Sequence, residues 1–214
     1  MQLELWMDVV CPWCYVGKRR LDAALARFDA RDEVTLTVRS FELDPSAPAV
    51  REGSHAEMLA AKYGGTVEEA RARLDQMTEL GRGDGIAFDF EIARQGNSFD
   101  AHRLIHLAAA KGVADAVCER LLRGYFGEGL AIGDRAALLD AVAEAGLDRD
   151  EAAAALAGDA YADAVRADEA QAQRYGIRGV PFLVLDGRYG LSGAQPTDAY
   201  LQALQQAWDE RAAA

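Results

Sequence analysis

Leu3, Leu5 and Met7 alternate with Gln2, Glu4 and Trp6 at the start of the chain. A period of two marks a half-buried strand. Past residue 11 the period lengthens, and Leu21, Leu25 and Phe28 recur at helical spacing, which predicts an amphipathic helix. Val34, Leu36 and Val38 then alternate with Thr35, Thr37 and Arg39, a second strand. Strand–helix–strand with a right-handed crossover gives parallel strands. Asp44-Pro45-Ser46-Ala47-Pro48 breaks the pattern and marks a boundary.

From residue 54 to 158 the pattern is helical almost throughout. Ser54 with Glu57, and Thr66 with Glu69, are capping boxes. Gly64-Gly65 and Gly81-Arg82-Gly83 supply the matching stops. Ile86, Phe88 and Phe90 alternate with Ala87, Asp89 and Glu91, predicting an extended connector that lies against the sheet domain. Ser98 is placed to cap a helix containing Leu104, Ile105 and Leu107, which stops at Gly112. A further helix carries Val117, Leu121 and Leu122. Asp134 caps a segment ending at Gly146, and Asp148 with Glu151 opens the next.

After a helix over 160–175 the pattern returns to β. Phe182-Leu183-Val184-Leu185 reads as a buried strand, Asp186-Gly187 as a tight hairpin turn, and Tyr189 to Leu191 as the return strand. Tyr200, Leu201, Leu204 and Trp208 line a final helix. The predicted fold is α/β, with four strands in one mixed sheet and helices on both faces. The sheet domain is discontinuous, residues 1–45 and 159–214, and 46–158 forms an all-helical insertion.

Half of the 214 residues are hydrophobic, enough for a full core. The net charge of −12 argues against nucleic acid or an anionic membrane as partner. No apolar run approaches the length of a transmembrane helix. The first apolar stretch carries Glu4 and Asp8 with no basic residue ahead of it, unlike a signal peptide, so the expected location is cytoplasmic. Three cysteines are too few for a disulfide framework.

Two of them carry the chemistry. Cys11-Pro12-Trp13-Cys14 falls at the turn from the first strand into the first helix, with Cys11 at the helix N-terminus. The first N–H groups of a helix lack intrahelical partners and carry partial positive charge, which favours a thiolate there. Pro12 occupies the first turn, where its missing N–H costs nothing. Cys14, one turn on, is near enough to attack a mixed disulfide formed at Cys11. Trp13, between them, is expected to be exposed and to meet partners.

C-x-x-C is also half of a zinc site. There is no second C-x-x-C, but His102 and His106, one helical turn apart, would complete a Cys2His2 set. A zinc-stabilised binding module is therefore the lower alternative, and no metal is assigned. Cys118 reads as a buried core thiol. Gly179-Val180-Pro181, directly before a strand, permits a cis peptide bond; the alternative is a trans proline opening an edge strand.

A strand, Cys-Pro-Trp-Cys at a helix start, a helical insertion and Gly-Val-Pro-Phe entering a hairpin together resemble the DsbA-like branch of the thioredoxin superfamily. Three stretches resemble its FrnE-like group more narrowly: Asp8 to Lys18, Asn97 to Leu104, and Tyr175 to Phe182. The resemblance implies a thioredoxin-like fold, a cis bond before Pro181, and a turn at Val180-Pro181 that faces the dithiol and docks substrate. It also implies that Asn97, Ser98, His102 and Arg103 approach the active-site face; the residues alone support a helix cap with solvated neighbours equally well.

The implied activity is thiol–disulfide exchange on protein or small-molecule thiols and disulfides, with Cys11 attacking and Cys14 resolving. No cofactor is bound tightly, and glutathione is a candidate co-substrate. Pro12-Trp13 replaces the Pro-His of periplasmic DsbA proteins, and reductase or isomerase turnover fits a reducing compartment better than oxidation. The related 2-hydroxychromene-2-carboxylate isomerases and kappa-class glutathione transferases carry serine where this chain has Cys11. A glutathione-dependent isomerase or transferase, with glutathione near Val180 and Gly193-Ala194-Gln195, is the alternative that the resemblance leaves.

Overall fold

Gln2–Met7 forms β1 and Thr35–Ser40 forms β2, paired in parallel from Gln2↔Thr35 to Met7↔Ser40. The computed structural model describes residues 1–212. Between these strands runs α1, Pro12–Ala26. Phe182–Leu185 is β3 and Tyr189–Ser192 is β4. β3 pairs antiparallel with β1 and with β4, giving the mixed order β2-β1-β3-β4. The hairpin turn needs positive φ at both central residues, and Asp186 (φ 47°) and Gly187 (φ 66°) supply it. Asp186 Oδ1 also accepts from the Gln2 N–H at 2.6 Å, fastening the turn to the start of β1.

The chain divides into two compact units, one made of Met1–Leu43 with the chain from Arg166 onward, the other of Asp44–Val165. In the first unit, register puts Leu3, Leu5, Leu36, Val38, Leu183 and Leu185 on one sheet face. Tyr189 shares that face, and its hydroxyl donates to Glu210 of α9, Thr197–Ala212. α9 packs on α1, with Phe28 and Trp208 edge to face and 5.9 Å between ring centroids.

The opposite sheet face carries Glu4, Trp6, Thr37, Arg39 and Val184. Helix α8, Ala162–Arg174, covers it by polar as well as apolar contacts. Arg39 bridges Glu4 at 2.6 Å and Asp168 at 2.9 Å, the second Asp168 oxygen accepts from Ser40 N–H at 2.9 Å, and Trp6 Nε1 donates to the Asp168 carbonyl at 3.0 Å. Asp168 is buried, and these donors stand in for the water its carboxylate gives up. Trp6, Ala172, Ile177 and Val184 close the apolar part, with Phe41, Val180 and Phe182 against it.

The second unit is helical. α2 (His55–Tyr63) and α3 (Val67–Gly83) pack on each other, and both predicted capping boxes form. α4 (Phe99–Ala110), α5 (Ala114–Gly127), α6 (Arg135–Glu144) and α7 (Arg149–Ala157) follow, each of the last three packed on the one before it, and α7 returns to pack on α4. Asp134 and Asp148 cap α6 and α7 as predicted.

Two details differ from the sequence reading. Ser98 stands at the N-cap of α4 but makes no side-chain cap hydrogen bond. The Oδ1 of Asn97 accepts from Phe99 N–H at 2.9 Å instead; an Asx side chain one position earlier reaches the same free donors. The Ile86–Phe90 connector, expected to lie against the sheet domain, uses its apolar side chains inside the helical unit. Phe88 and Phe90 stack at 5.2 Å, both lie edge-on to Phe126 of α5, and Asp89 N–H donates to the Phe126 carbonyl at 2.7 Å. Gly96 and Gly133 flank the backbone at Ala49, where any Cβ would overlap the Ala49 carbonyl.

His55 sits in this aromatic cluster, its Nε2 3.1 Å from the Tyr125 hydroxyl. Burial holds its imidazole down to about 4 from the usual 6.5. Between those values the unfolded chain binds a proton that the folded chain refuses. The associated stability is fully present above pH 6.5 and is lost as pH falls toward 4. Urea unfolding at pH 7 and pH 5 should show a loss of about 2 kcal/mol due to this residue. In His55→Phe the fall over that interval should be smaller by that amount.

Candidate active site

β1 ends at Met7, and the chain turns through Asp8-Val9-Val10 before α1 begins. Asp8 is fully buried and holds this turn together. Its Oδ1 accepts from Val10 N–H at 3.3 Å, its Oδ2 accepts from Leu43 N–H at 2.8 Å, and its carbonyl accepts from Cys11 N–H at 3.1 Å. Cys11 is the N-cap of α1, with extended backbone (φ −96°, ψ 112°), and Pro12 follows at the first helical position. The Cys11 carbonyl accepts from Cys14 N–H at 3.0 Å and Tyr15 N–H at 3.3 Å, starting the helix. Strand end, buried carboxylate and proline-led helix start thus fix both cysteines.

The second wall is the turn before β3. The Val180–Pro181 peptide is cis. The Pro181 carbonyl accepts from Gly193 N–H at 2.8 Å, tying the turn to the end of β4. Cys11 Sγ lies 3.7 Å from the Val180 carbonyl, to which its thiol donates. That contact joins residues 169 positions apart in sequence. It is made possible by Gly17 of α1. A Cβ there would lie 2.8 Å from Pro181 Cγ, so only a bare backbone lets the helix come this close. Tyr200 of α9 locks the same corner: its hydroxyl donates to the Gly193 carbonyl at 3.1 Å and accepts from Gln195 N–H at 3.4 Å.

Both cysteines are free thiols, Cys11 with 4% of its surface exposed and Cys14 with none. Burial pushes the Cys14 thiol well above its ordinary range. The adjacent Cys11 sulfur and the Asp8 carboxylate push it the same way, while the Asp8 N–H, 3.5 Å from Cys14 Sγ, partly opposes them. Cys14 therefore holds its proton near neutral pH. Burial also raises the Tyr200 phenol, which keeps its hydroxyl a donor. Trp13 is 45% exposed, between two buried sulfurs.

The remaining sequence candidates lie in the helical unit. Asn97 caps α4 and reaches the Pro45 carbonyl at 3.4 Å. Ser98 and His102 are buried. Arg103 is buried too, with its guanidinium engaged by the carbonyls of Ala155, Gly158 and Ala160 and by Asp100; it staples the chain after α7 to α4. Cys118 is buried in α5. Among the described residues no three His, Cys, Asp or Glu side chains converge on a metal-sized site. Asp8, Gly17 and Tyr200 were not singled out by sequence pattern. Asp8 and Gly17 do lie within the motif stretch around the cysteines.

The model of the DSBA-like thioredoxin domain matches residues 2–205. The chain belongs to this family. A probable DsbA oxidoreductase from Streptomyces coelicolor is 45% identical, covers 98% of this chain and 91% of its own, and superposes with a TM-score of 0.93. Two further DsbA-type folds are more distant. The cytosolic disulfide reductase DsbM from Pseudomonas aeruginosa, solved with glutathione, is 20% identical over 98% of this chain and 100% of its own, with a TM-score of 0.66. A 2-hydroxychromene-2-carboxylate isomerase is 18% identical over 99% and 96%, with a TM-score of 0.67. No curated protein matches the chain. For this DsbA-like chain the comparisons establish a thioredoxin fold with a helical insertion and an oxidoreductase or isomerase family.

The close approach at Gly17 makes a direct prediction. Gly17→Ala should lose about 1–3 kcal/mol to overpacking and slow disulfide exchange by displacing the Val180 turn. Gly83→Ala, at the end of α3 with nothing within 4 Å of a new Cβ, should be neutral or stabilising by up to about 1 kcal/mol. Chemical denaturation of the two variants checks the pair.

Proposed function

We propose that the protein is a thiol–disulfide oxidoreductase in which Cys11 attacks and Cys14 resolves. The observation that carries this reading is the pairing of a helix-capping Cys11 with a buried, proton-holding Cys14 one turn away, beside the carbonyl of Val180.

In the forward direction the Cys11 thiolate attacks a substrate disulfide. A bond forms between Cys11 Sγ and one substrate sulfur, the substrate S–S bond breaks, and the second substrate sulfur leaves and takes up a proton. Cys14 then loses its proton and attacks Cys11 Sγ, releasing the first substrate sulfur as a thiol. The protein is left with a Cys11–Cys14 disulfide, and an external thiol such as glutathione returns it to the dithiol. Isomerisation uses the first step and its reversal at a different substrate sulfur. Val180 offers backbone groups for docking, and Trp13 an exposed ring. In the cytoplasmic setting expected from the sequence the pair would be kept reduced, which favours reductase or isomerase turnover over oxidation.

Insulin reduction with glutathione as terminal reductant tests the assignment. Cys11→Ser should abolish activity. Cys14→Ser should retain a reactive Cys11 but accumulate mixed disulfides. If Cys14→Ser were silent, a glutathione-dependent isomerase or transferase would replace the dithiol reading. If Cys11→Ser accumulated the mixed disulfides instead, the two roles would be reversed.

The raised Cys14 thiol adds a pH signature. Release of substrate from a preformed mixed disulfide needs the Cys14 thiolate, so its rate should rise about tenfold per pH unit below the Cys14 ionisation. Rapid-quench kinetics between pH 6 and 8 would contradict this if the rate were flat.

A further inference from the structure

The segment joining α8 to β3 is pinned at both ends. Ile177 is buried with Trp6, Ala172 and Val184, and Pro181 is wedged against Gly17. The residues between those anchors are held outward: Arg178 is exposed, and Val180 is partly so. Arg174, the last residue of α8, is exposed just upstream. Neither Arg174 nor Arg178 enters an ion pair or hydrogen bond among the described residues. The acids of the same unit that form ion pairs do so with other cations, among them Glu4 and Asp168 with Arg39, and Glu42 and Glu169 with Arg166.

This leaves an uncompensated positive stretch beside the Val180 carbonyl on a chain of net charge −12. Two positions of extended chain span about 7 Å, inside the screening length of about 8 Å at physiological salt. An anionic group on a substrate whose sulfur is at Cys11 would be repelled by the net charge of the protein and attracted by these two arginines. An arginine also offers a planar fork of donors matched to a carboxylate.

We propose that Arg178, with Arg174 behind it, selects disulfides that carry a carboxylate next to the reacting sulfur. This rests on the dithiol reading above, and it makes Arg178 a specificity determinant of that site.

The test uses the reduced full chain and two disulfide-linked peptide dimers that differ only in flanking the cysteine with Glu or with Lys. The readout is the ratio of the two reduction rates within each variant, which cancels general damage to the centre. Wild type should prefer the Glu peptide by about two- to fivefold, the size of a surface ion pair, and the preference should shrink in 0.5 M salt (about a 4 Å screening length). Arg178→Gln should bring the ratio near one and Arg178→Glu should invert it. Arg188→Glu makes the same charge change at the other end of β3 and should leave the ratio as in wild type.

Arg178→Glu leaving both the peptide ratio and the reduction of glutathione disulfide unchanged, or an equal shift in Arg188→Glu, would overturn the proposal. Glutathione disulfide separates the two sources of a carboxylate. A loss in Arg178→Glu confined to it names a small-molecule substrate, a loss confined to the Glu peptide names a polypeptide, and either supports the proposal. Bis(2-hydroxyethyl) disulfide, which is uncharged, isolates the underlying reading. If wild type fails to reduce it, the dithiol assignment falls and carries this proposal with it.

Discussion

The contact between α1 and the cis-proline turn is the constraint on which the candidate site depends. Gly17 has no side chain because Pro181 occupies the space where one would be. Without that approach, Cys11 at the head of the helix would not meet the carbonyl of Val180. β1–β3 pairing brings the two ends of the chain together, with Trp6 opposite Phe182, but pairing alone sets only strand spacing. The helix must also sit flush with the turn, and the hydrogen bonds of Gly193 and Tyr200 hold that turn from its other side.

Buried carboxylates perform two distinct tasks in the sheet unit. Asp168 faces a guanidinium and a backbone N–H, so its charge is balanced and it fastens α8 to the sheet. Asp8 accepts from backbone N–H groups and adds negative potential beside Cys14. The same carboxylate that shapes the cysteine turn thus helps keep the second sulfur protonated. A sulfur that retains its proton is a poor competitor for substrate and becomes useful only after Cys11 is engaged. The two cysteines differ by burial and by position on one helix turn.

Much of this was legible in the sequence because it depends on local rules. Alternation gave the strands, the Asp186-Gly187 pair gave the hairpin, and Ser54, Thr66, Asp134 and Asp148 gave helix starts through side chains that bond their own next turn. Ser98 misled because Asn97 beside it competes for the same donors. The Ile86–Phe90 alternation marks an extended connector as expected, and its phenylalanines pack on Phe126. Arg103 is engaged by Asp100 and by carbonyls that the fold brings close, which no local pattern announces. Gly17, Gly96, Gly133 and Tyr200 act through partners far away in the sequence, and no local pattern announces such contacts.

The central claim is that Cys11 and Cys14 form one reversible redox pair and that Cys118, buried in α5, takes no part. Disulfide mapping tests it most directly. The reduced protein is oxidised with a small excess of bis(2-hydroxyethyl) disulfide, remaining thiols are alkylated under denaturing conditions, and the digest is read by mass spectrometry. The account predicts a single Cys11–Cys14 linkage, alkylated Cys118, and full return to three free thiols on adding glutathione. A linkage to Cys118, or a stable mixed disulfide on Cys11 with Cys14 left as a free thiol, would contradict it.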